Sequence, residues 1–421
     1  MLKIKTSPRK ISPFSGISFV AHEIEKTGLA KIIDAAWPAR HWRSSYSYSR
    51  AILALIYGTI CGADRLDDYA VLRNKVFDDK IVLPSPVTLG RIMRQKLSVD
   101  NQKIDRFPIN FNPTLSKLLL EIALHLNQIK PHTPYTLDYD NTILPCQKED
   151  ATFTYKKSVR GYQPGIAFIA DIPVYIEGMA GNKPAAMDQV STMKRCFELL
   201  QANNIKIARF RADNASYRAK LLELMENKGI EVFIRATNTL NLFEHITDTF
   251  HWDQITLGFT DTFEIASFDY IPFKSSNQTP YRIVTTRRPE KNGKKHKITG
   301  KPFIYRSILT NNTTLSNVEV YQFYNRRGAI ERNFDVLGND WNWHKLPFSF
   351  LNENTAFMII TAIGLITYKY IVQKFANRVD FVSMSDRLKR FRYNVISVAG
   401  EWKKNVLTIF DNSRHWEKLS G

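Results

Sequence analysis

The spacing of apolar positions changes three times along the chain, and each change marks a different kind of structure. Up to about residue 130 the spacing is helical. Residues 51–60 form a dense apolar run between amphipathic segments. Ser85-Pro86-Val87-Thr88 has the form of a helix start, with a hydroxyl cap and a proline in the first turn. Leu89, Ile92 and Met93 follow at i, i+3 and i+4, while Arg91, Arg94 and Lys96 fill other positions. A helix of this kind suits either a DNA-touching helix-turn-helix or a helical cap with a solvated basic face.

Near Pro131 and Pro134 the spacing turns strand-like. Strands are predicted over residues 135–144, 166–175, 205–210 and 230–234, and helices over 193–202 and 216–228. This alternation is that of an α/β protein, a mixed sheet flanked by helices. Between residues 237 and 316, short runs of Thr, Phe, Tyr and Ile predict a β-rich insertion. Helical spacing returns over 318–337 through Val320, Phe323, Ile330, Phe334 and Leu337, with Gly338 as a C-terminal residue. The organisation read from these changes is a helical N-terminal region (1–130), the first part of a core (131–236), the insertion (237–316), the second part of the core (317–378) and a helical tail (379–421).

Composition narrows the class. With 421 residues, 44% hydrophobic and 12% aromatic, the chain can bury sizeable cores, which excludes a disordered protein or a disulfide-stapled miniprotein. A formal charge of +19 favours a polyanionic partner, because cations that contact phosphates release condensed counterions. Cys61, Cys146 and Cys196 lie far apart and offer neither zinc spacing nor a disulfide framework, as expected in a reducing cytoplasm. The basic start MLKIKTSPRK leads into no apolar segment, so no signal peptide is expected. The uncharged stretch from Asn354 to Tyr368 is 15 residues, short of a bilayer span, and predicts a buried helix in a soluble protein with no membrane partner.

Three acidic positions carry the candidate chemistry. Asp138 and Asp140 project from one face of the 135–144 strand, where carboxylates are costly unless solvated, paired or bound to a cation. Asp213 closes the 205–210 strand, at the carboxyl end where α/β sheets bind ligands. Tyr324, Arg327 and Glu331 stand at i, i+3 and i+7 and would share one helix face, with Asp335 a turn beyond. Two strand aspartates and a helix glutamate could hold two hard divalent cations about 3.5–4 Å apart, the arrangement used for in-line phosphoryl displacement.

The sequence Asp140-Asn141-Thr142, then Arg211-Ala212-Asp213, then Tyr324-xx-Arg327-xxx-Glu331 resembles the bacterial insertion-sequence DDE transposases. It is most similar to the branch with a Tyr-Arg-Glu-Lys signature and its "IS thirteen-eighty" subgroup. Gly161-Tyr162-Gln163-Pro164 and Asn339-Asp340-Trp341, leading to Leu346-Pro347-Phe348, share in the likeness. The resemblance implies an RNase H-like catalytic core with Asp140, Asp213 and Glu331 as catalytic residues and ligands of two Mg2+ or Mn2+ ions. Asp140 is preferred to Asp138 because a threonine follows it closely. Separations of 73 and 118 residues leave room for the β-rich insertion before the glutamate helix. The implied activity is cleavage of the element's ends and strand transfer into target DNA. The implied partners are double-stranded DNA, as terminal inverted repeats and as target, and a second copy of the chain as a homodimer on DNA, in the bacterial nucleoid. Tyr324 and Arg327 would hold DNA near the cleavage site. The signature lysine is replaced by Gly338, with Lys345 as a distant substitute. Trp341 or Trp343 would offer a platform for a flipped base.

Further cations invite the same reading. Lys156, Lys157 and Arg160, interleaved with Tyr155 and Tyr162, line a DNA groove or cap a strand turn. Arg287, Arg288, Lys291, Lys294, Lys295, Lys297 and Lys301 face a single acid, Glu290, in a hairpin tip that contacts phosphate or is simply solvated. Arg209 and Arg211 have nearby acids or phosphates as possible partners. The histidines lack ligand spacing. Two other functions fit the same residues: a metal-dependent nuclease that joins nothing, and a catalytically inactive DNA-binding descendant of a transposase.

Overall fold

The period-two segments assemble into one mixed sheet. The computed structural model describes residues 4, 8–99, 101–104, 108–154, 158–273, 280–403 and 406–420. Its sheet strands in chain order are β1 (Gln102–Ile104), β2 (Ile109–Phe111), β3 (Pro134–Asn141), β4 (Gly165–Ile169), β5 (Ile172–Met179), β6 (Lys206–Ala212), β7 (Glu231–Arg235), β8 (Asp253–Leu257), β9 (Asp261–Tyr270), β10 (Tyr281–Pro289) and β11 (Phe303–Thr310). Across the sheet they lie in the order β8-β9-β10-β11-β7-β6-β3-β4-β5-β2-β1.

β3, β4 and β5 form an antiparallel meander, whereas β6 runs parallel to β3 and β7 parallel to β6. Parallel neighbours need crossovers, which helices Gln189–Ala202 and Ala219–Asn227 supply. The β-rich run after residue 237 forms no separate sheet. β8 to β11 are antiparallel and join the edge of β7 through β11, so they extend the central sheet.

Several boundaries differ from expectation for local reasons. Residues 166–175 make two strands, because the chain turns at Ala170 (φ 55°) without the usual Gly or Asn to announce it. The helix expected over 318–337 is broken. Asn317–Asn325 ends in a 3-10 turn, Arg326–Gly328, before Ala329–Asn339 begins. Gly328 weakens helix at that point, since glycine loses the most backbone freedom on ordering. The tail after residue 379 is not all helical. Gly400–Lys403 pairs with Val406–Ile409 and with Ile11–Ser12, so the two ends of the chain share a small sheet.

The N-terminal helices pack onto the same core as the sheet. Helix Tyr48–Cys61 starts at Ser47, whose hydroxyl accepts from the Arg50 amide at 3.2 Å, and stops at Gly62 in the left-handed region. Helix Pro86–Ile92 is capped by Ser85. Leu89, Ile92 and Met93 are buried there, and Arg91, Arg94 and Lys96 stay exposed.

Through the centre runs helix Leu351–Ala376, 26 residues, apolar and long enough to cross a membrane by length and composition but mostly buried inside this fold. Its hydroxyls turn back on its own backbone, as Thr361 does to Phe357 O at 2.9 Å. Small residues let its neighbours approach: a Cβ on Gly364 would lie 2.3 Å from the Trp341 ring. Gly364→Ala is therefore expected to cost about 1–3 kcal/mol through overpacking. Urea unfolding of the full chain measures it, and an unchanged midpoint would show that the Trp341 ring has room to yield.

Candidate active site at the carboxyl ends of β3 and β6

The site begins with an ion pair one step below it. Asp138 on β3 and Arg211 on β6 are register partners on adjacent parallel strands. The Arg211 guanidinium donates to both carboxylate oxygens, Nε to Oδ1 and Nη2 to Oδ2, each at 2.7 Å. Its third donor, Nη1, reaches Phe323 O at 2.6 Å, and the guanidinium lies 4.8 Å from the Phe323 ring. Both side chains are buried, so Asp138 has its cation already and Arg211 is no phosphate ligand. Arg209 is likewise paired, with Glu231 at 2.8 Å.

The same register, Ala212 opposite Tyr139, carries Asp140 and Asp213 out at neighbouring strand ends. Asp140 accepts from the Asn141 amide at 2.8 Å through Oδ1 and from Arg327 Nη2 at 2.6 Å through Oδ2. Asp213 caps a 3-10 turn, accepting from the Ala215 amide at 2.9 Å. Burial raises the Asp140 carboxyl above its ordinary range. Arg327 opposes that shift and the like charge of Asp213 adds to it, as expected of two carboxylates sharing a site.

The Tyr324 hydroxyl donates to Ala212 O at 3.3 Å and so fastens the helix Asn317–Asn325 to the end of β6. Burial pushes the Tyr324 phenol up, against the fields of Arg327 and Arg235. Arg235 was missed from the sequence. The signal was available, since it closes β7 beside the strand that Asp213 closes.

Glu331 stands differently. It lies exposed in the first turn of Ala329–Asn339 and makes no hydrogen bond or ion pair with another described residue. The 3-10 turn Arg326–Gly328, which holds Arg327 itself, breaks the single helical face that the spacing predicted. Among the described residues, no three His, Cys, Asp or Glu side chains form a group that could hold a metal ion.

A divalent cation fits part of this arrangement. Asp140 and Asp213 offer hard oxygen donors side by side, and one or two carboxylates plus water and phosphate oxygens are ordinary Mg2+ ligation. The Arg327 Nε is buried without a partner, a donor that the protein alone leaves unmet. Glu331 does not join the set in this conformation.

Other expected DNA contacts are redistributed. Trp341 and Trp343 are buried, Trp341 edge-on to Tyr368 at 6.1 Å and Trp343 donating to Thr361 Oγ1 at 3.0 Å. With its ring covered, Trp341 is a core residue and offers no platform to a base. Gly338 sits under the His344 imidazole, where an added Cβ would lie 2.2 Å from Nε2, so the position given to lysine in the signature is occupied here. Lys345 is ion-paired with Asp64 and does not substitute for that lysine at the site. Asp335 turns to Arg387.

Arg160 binds the Ala151 carbonyl through Nε (3.2 Å) and Nη2 (2.9 Å), which is the strand-turn cap. Lys156, Lys157 and Tyr155 lie outside the described residues. Arg287 pairs with Glu264 at 2.8 Å over the Trp252 ring, and Arg288 pairs with Asp261 and with the Tyr321 hydroxyl. Both are cross-strand ties of the sheet, Glu264 directly opposite Arg287 and Asp261 diagonal to Arg288 on the neighbouring strand. Lys294, Lys295 and Lys297 are exposed in the β10–β11 loop.

The family model described as "Transposase DDE domain group 1" matches residues 2–409, and the chain belongs to that family of transposases. No curated protein matches it in sequence. Among solved structures it is similar to a cryo-EM structure of the piggyBac transposase synaptic complex with hairpin DNA, at 11% identity and a TM-score of 0.44 over 90% of this chain and 79% of that one.

Breaking the buried pair beneath the site should be costly. Arg211→Ala leaves Asp138 buried without a partner, and a loss of about 3–5 kcal/mol is expected in urea unfolding. Replacing both residues with apolar side chains of similar volume should restore much of it. Equal stability of Arg211→Ala and wild type would show that the pair does not organise β3 and β6.

Proposed function

We propose that this chain is the DNA transposase of an insertion sequence, cutting the ends of its element and joining them to target DNA. The observation that carries the reading is the pairing of Asp140 with Asp213 at the ends of adjacent parallel strands, with Arg327 against Asp140, in a chain that belongs to a DDE transposase family. The antiparallel meander followed by two parallel strands supports an RNase H-like core.

In this reading Asp140 and Asp213 would hold Mg2+ or Mn2+, and a second ion would need Glu331 as a further ligand. A bound divalent ion would neutralise charge on the phosphate under attack. Arg327 and Arg235 place positive charge beside the same phosphate, and the Tyr324 hydrogen bond to Ala212 O keeps Arg327 over the carboxylates. In the first reaction water attacks the phosphorus at the element's end, the P–O3′ bond breaks, and a 3′-hydroxyl is released. In the second that hydroxyl attacks a target phosphorus, a new P–O3′ bond forms, and the target's own 3′ oxygen leaves. Two ends cut in concert call for a homodimer on DNA.

A second reading, a DNA-binding descendant without chemistry, is favoured by one observation, the position of Glu331 outside the carboxylate group. Cleavage of a labelled element end in Mg2+ separates the two. Asp213→Ala and Asp140→Ala should lower cleavage by at least ~100-fold while leaving end binding intact, since altering even the outer shell of a metal site costs ~10–100-fold. Cleavage by Asp213→Ala at the wild-type rate would sink the assignment. Cleavage without transfer of the end into plasmid would mark a nuclease.

A further inference from the structure

β8 and β9 are joined by a three-residue tip, Gly258-Phe259-Thr260, in which Gly258 adopts φ 63° so that the chain can reverse. Phe259 is fully exposed at that tip, 103% by relative area, with none of the aromatic contacts that hold other rings of this sheet. Exposed phenylalanine is ordinary when isolated on a neutral surface. Its surroundings here are not neutral.

Glu264 of β9 pairs with Arg287 of β10, and Pro289 of β10 with Phe303 of β11. The start of β9 and the end of β10 therefore meet at one end of the sheet, and the tip and the β10–β11 loop share that end. The loop carries Lys291, Lys294, Lys295, Lys297 and Lys301, all exposed and without an ion pair to a described residue. It is held in shape by amides, Glu290 N to Pro302 O and His296 N to Lys301 O, both at 2.8 Å, and by His296 against the Phe243 ring at 4.4 Å. The acids nearest the tip do not offset this charge, since Asp261 is paired with Arg288 and Glu264 with Arg287. A bare aromatic ring thus stands at the same end of the sheet as five exposed lysines that share one loop acid, Glu290.

We propose that this end of the extended sheet is a second DNA contact, remote in sequence from the carboxylates. In it the loop lysines hold duplex phosphates and Phe259 enters between adjacent base pairs as an apolar wedge. Partial unstacking by an inserted phenyl and a kink toward the major groove, away from the inserted ring, are what such a side chain does in a minor groove. Two copies of this chain meeting at the same surface would bring like-charged loops together, which favours a polyanion over a self-contact. The inference rests on the proposed DNA function and adds where, and by what chemistry, the duplex is deformed.

The full chain is titrated with mixed-sequence duplexes carrying 2-aminopurine beside a flexible T–A step. Wild type should raise the 2-aminopurine fluorescence. Phe259→Ala should abolish that rise and weaken binding about 5- to 150-fold, the range of one lost aromatic–base stack. Its salt dependence should not change. Phe259→Trp should keep binding. The variant Lys294→Ala/Lys295→Ala/Lys297→Ala should instead flatten the log K against log salt slope by roughly 2–3. Thermal melting of Phe259→Ala should match wild type, because the ring packs on nothing. Equal DNA binding and equal fluorescence for Phe259→Ala would overturn the proposal. So would a Phe259→Ala chain that loses only self-association in sedimentation. A wild-type chain that binds no duplex at all would overturn the transposase reading itself, and Phe259 with it.

Discussion

A buried arginine–aspartate pair organises this molecule's chemistry. Arg211 and Asp138 face each other across two parallel strands, bidentate and desolvated, and the third donor of the arginine anchors the backbone of the helix Asn317–Asn325 at Phe323. A buried guanidinium is tolerable only when its donors are met, so strand, strand and helix are locked in one register. Everything at the site follows two residues further along each strand. Asp140 and Asp213 emerge together, and Tyr324 and Arg327 arrive over them.

The site is electrostatically loaded. Two carboxylates emerge from the same edge, one of them desolvated, and Arg327 alone among the described cations is hydrogen-bonded to them. A polyanion with its counterions would meet cations on Arg327 and Arg235 and hard oxygen donors on Asp140 and Asp213. The glutamate expected to complete the set lies past a 3-10 turn, on a helix segment whose phase differs from that of the helix carrying Tyr324. Charge on the insertion is divided in a similar way. Arg287 and Arg288 of β10 are spent on cross-strand acids within the sheet, and the lysines of the loop are left for solvent or a partner.

The central helix also explains why the N-terminal helices cannot be separated from the sheet. Helix Leu351–Ala376 is apolar on all sides because it has neighbours on all sides, the N-terminal helices among them. Such a helix reads by composition much like a membrane span, and only its surroundings distinguish the two.

The sequence by itself determined the period of each element and the residue types able to do chemistry. The alternating run ending in Asp140, the strand ending in Asp213 and the caps at Ser47 and Ser85 are local, and local patterns of polarity and hydroxyl placement suffice for them. The hairpin turn at Ala170 and the break at Arg326–Gly328 left little local trace, since an apolar alternation or a helical stripe runs through both. Pairing was decided by the tertiary structure alone. Which aspartate of β3 is neutralised, whether Trp341 is a platform or core, and whether Arg287 is free depend on what stands opposite across the sheet. Neighbours from distant parts of the chain set those environments, and no spacing along one strand encodes them.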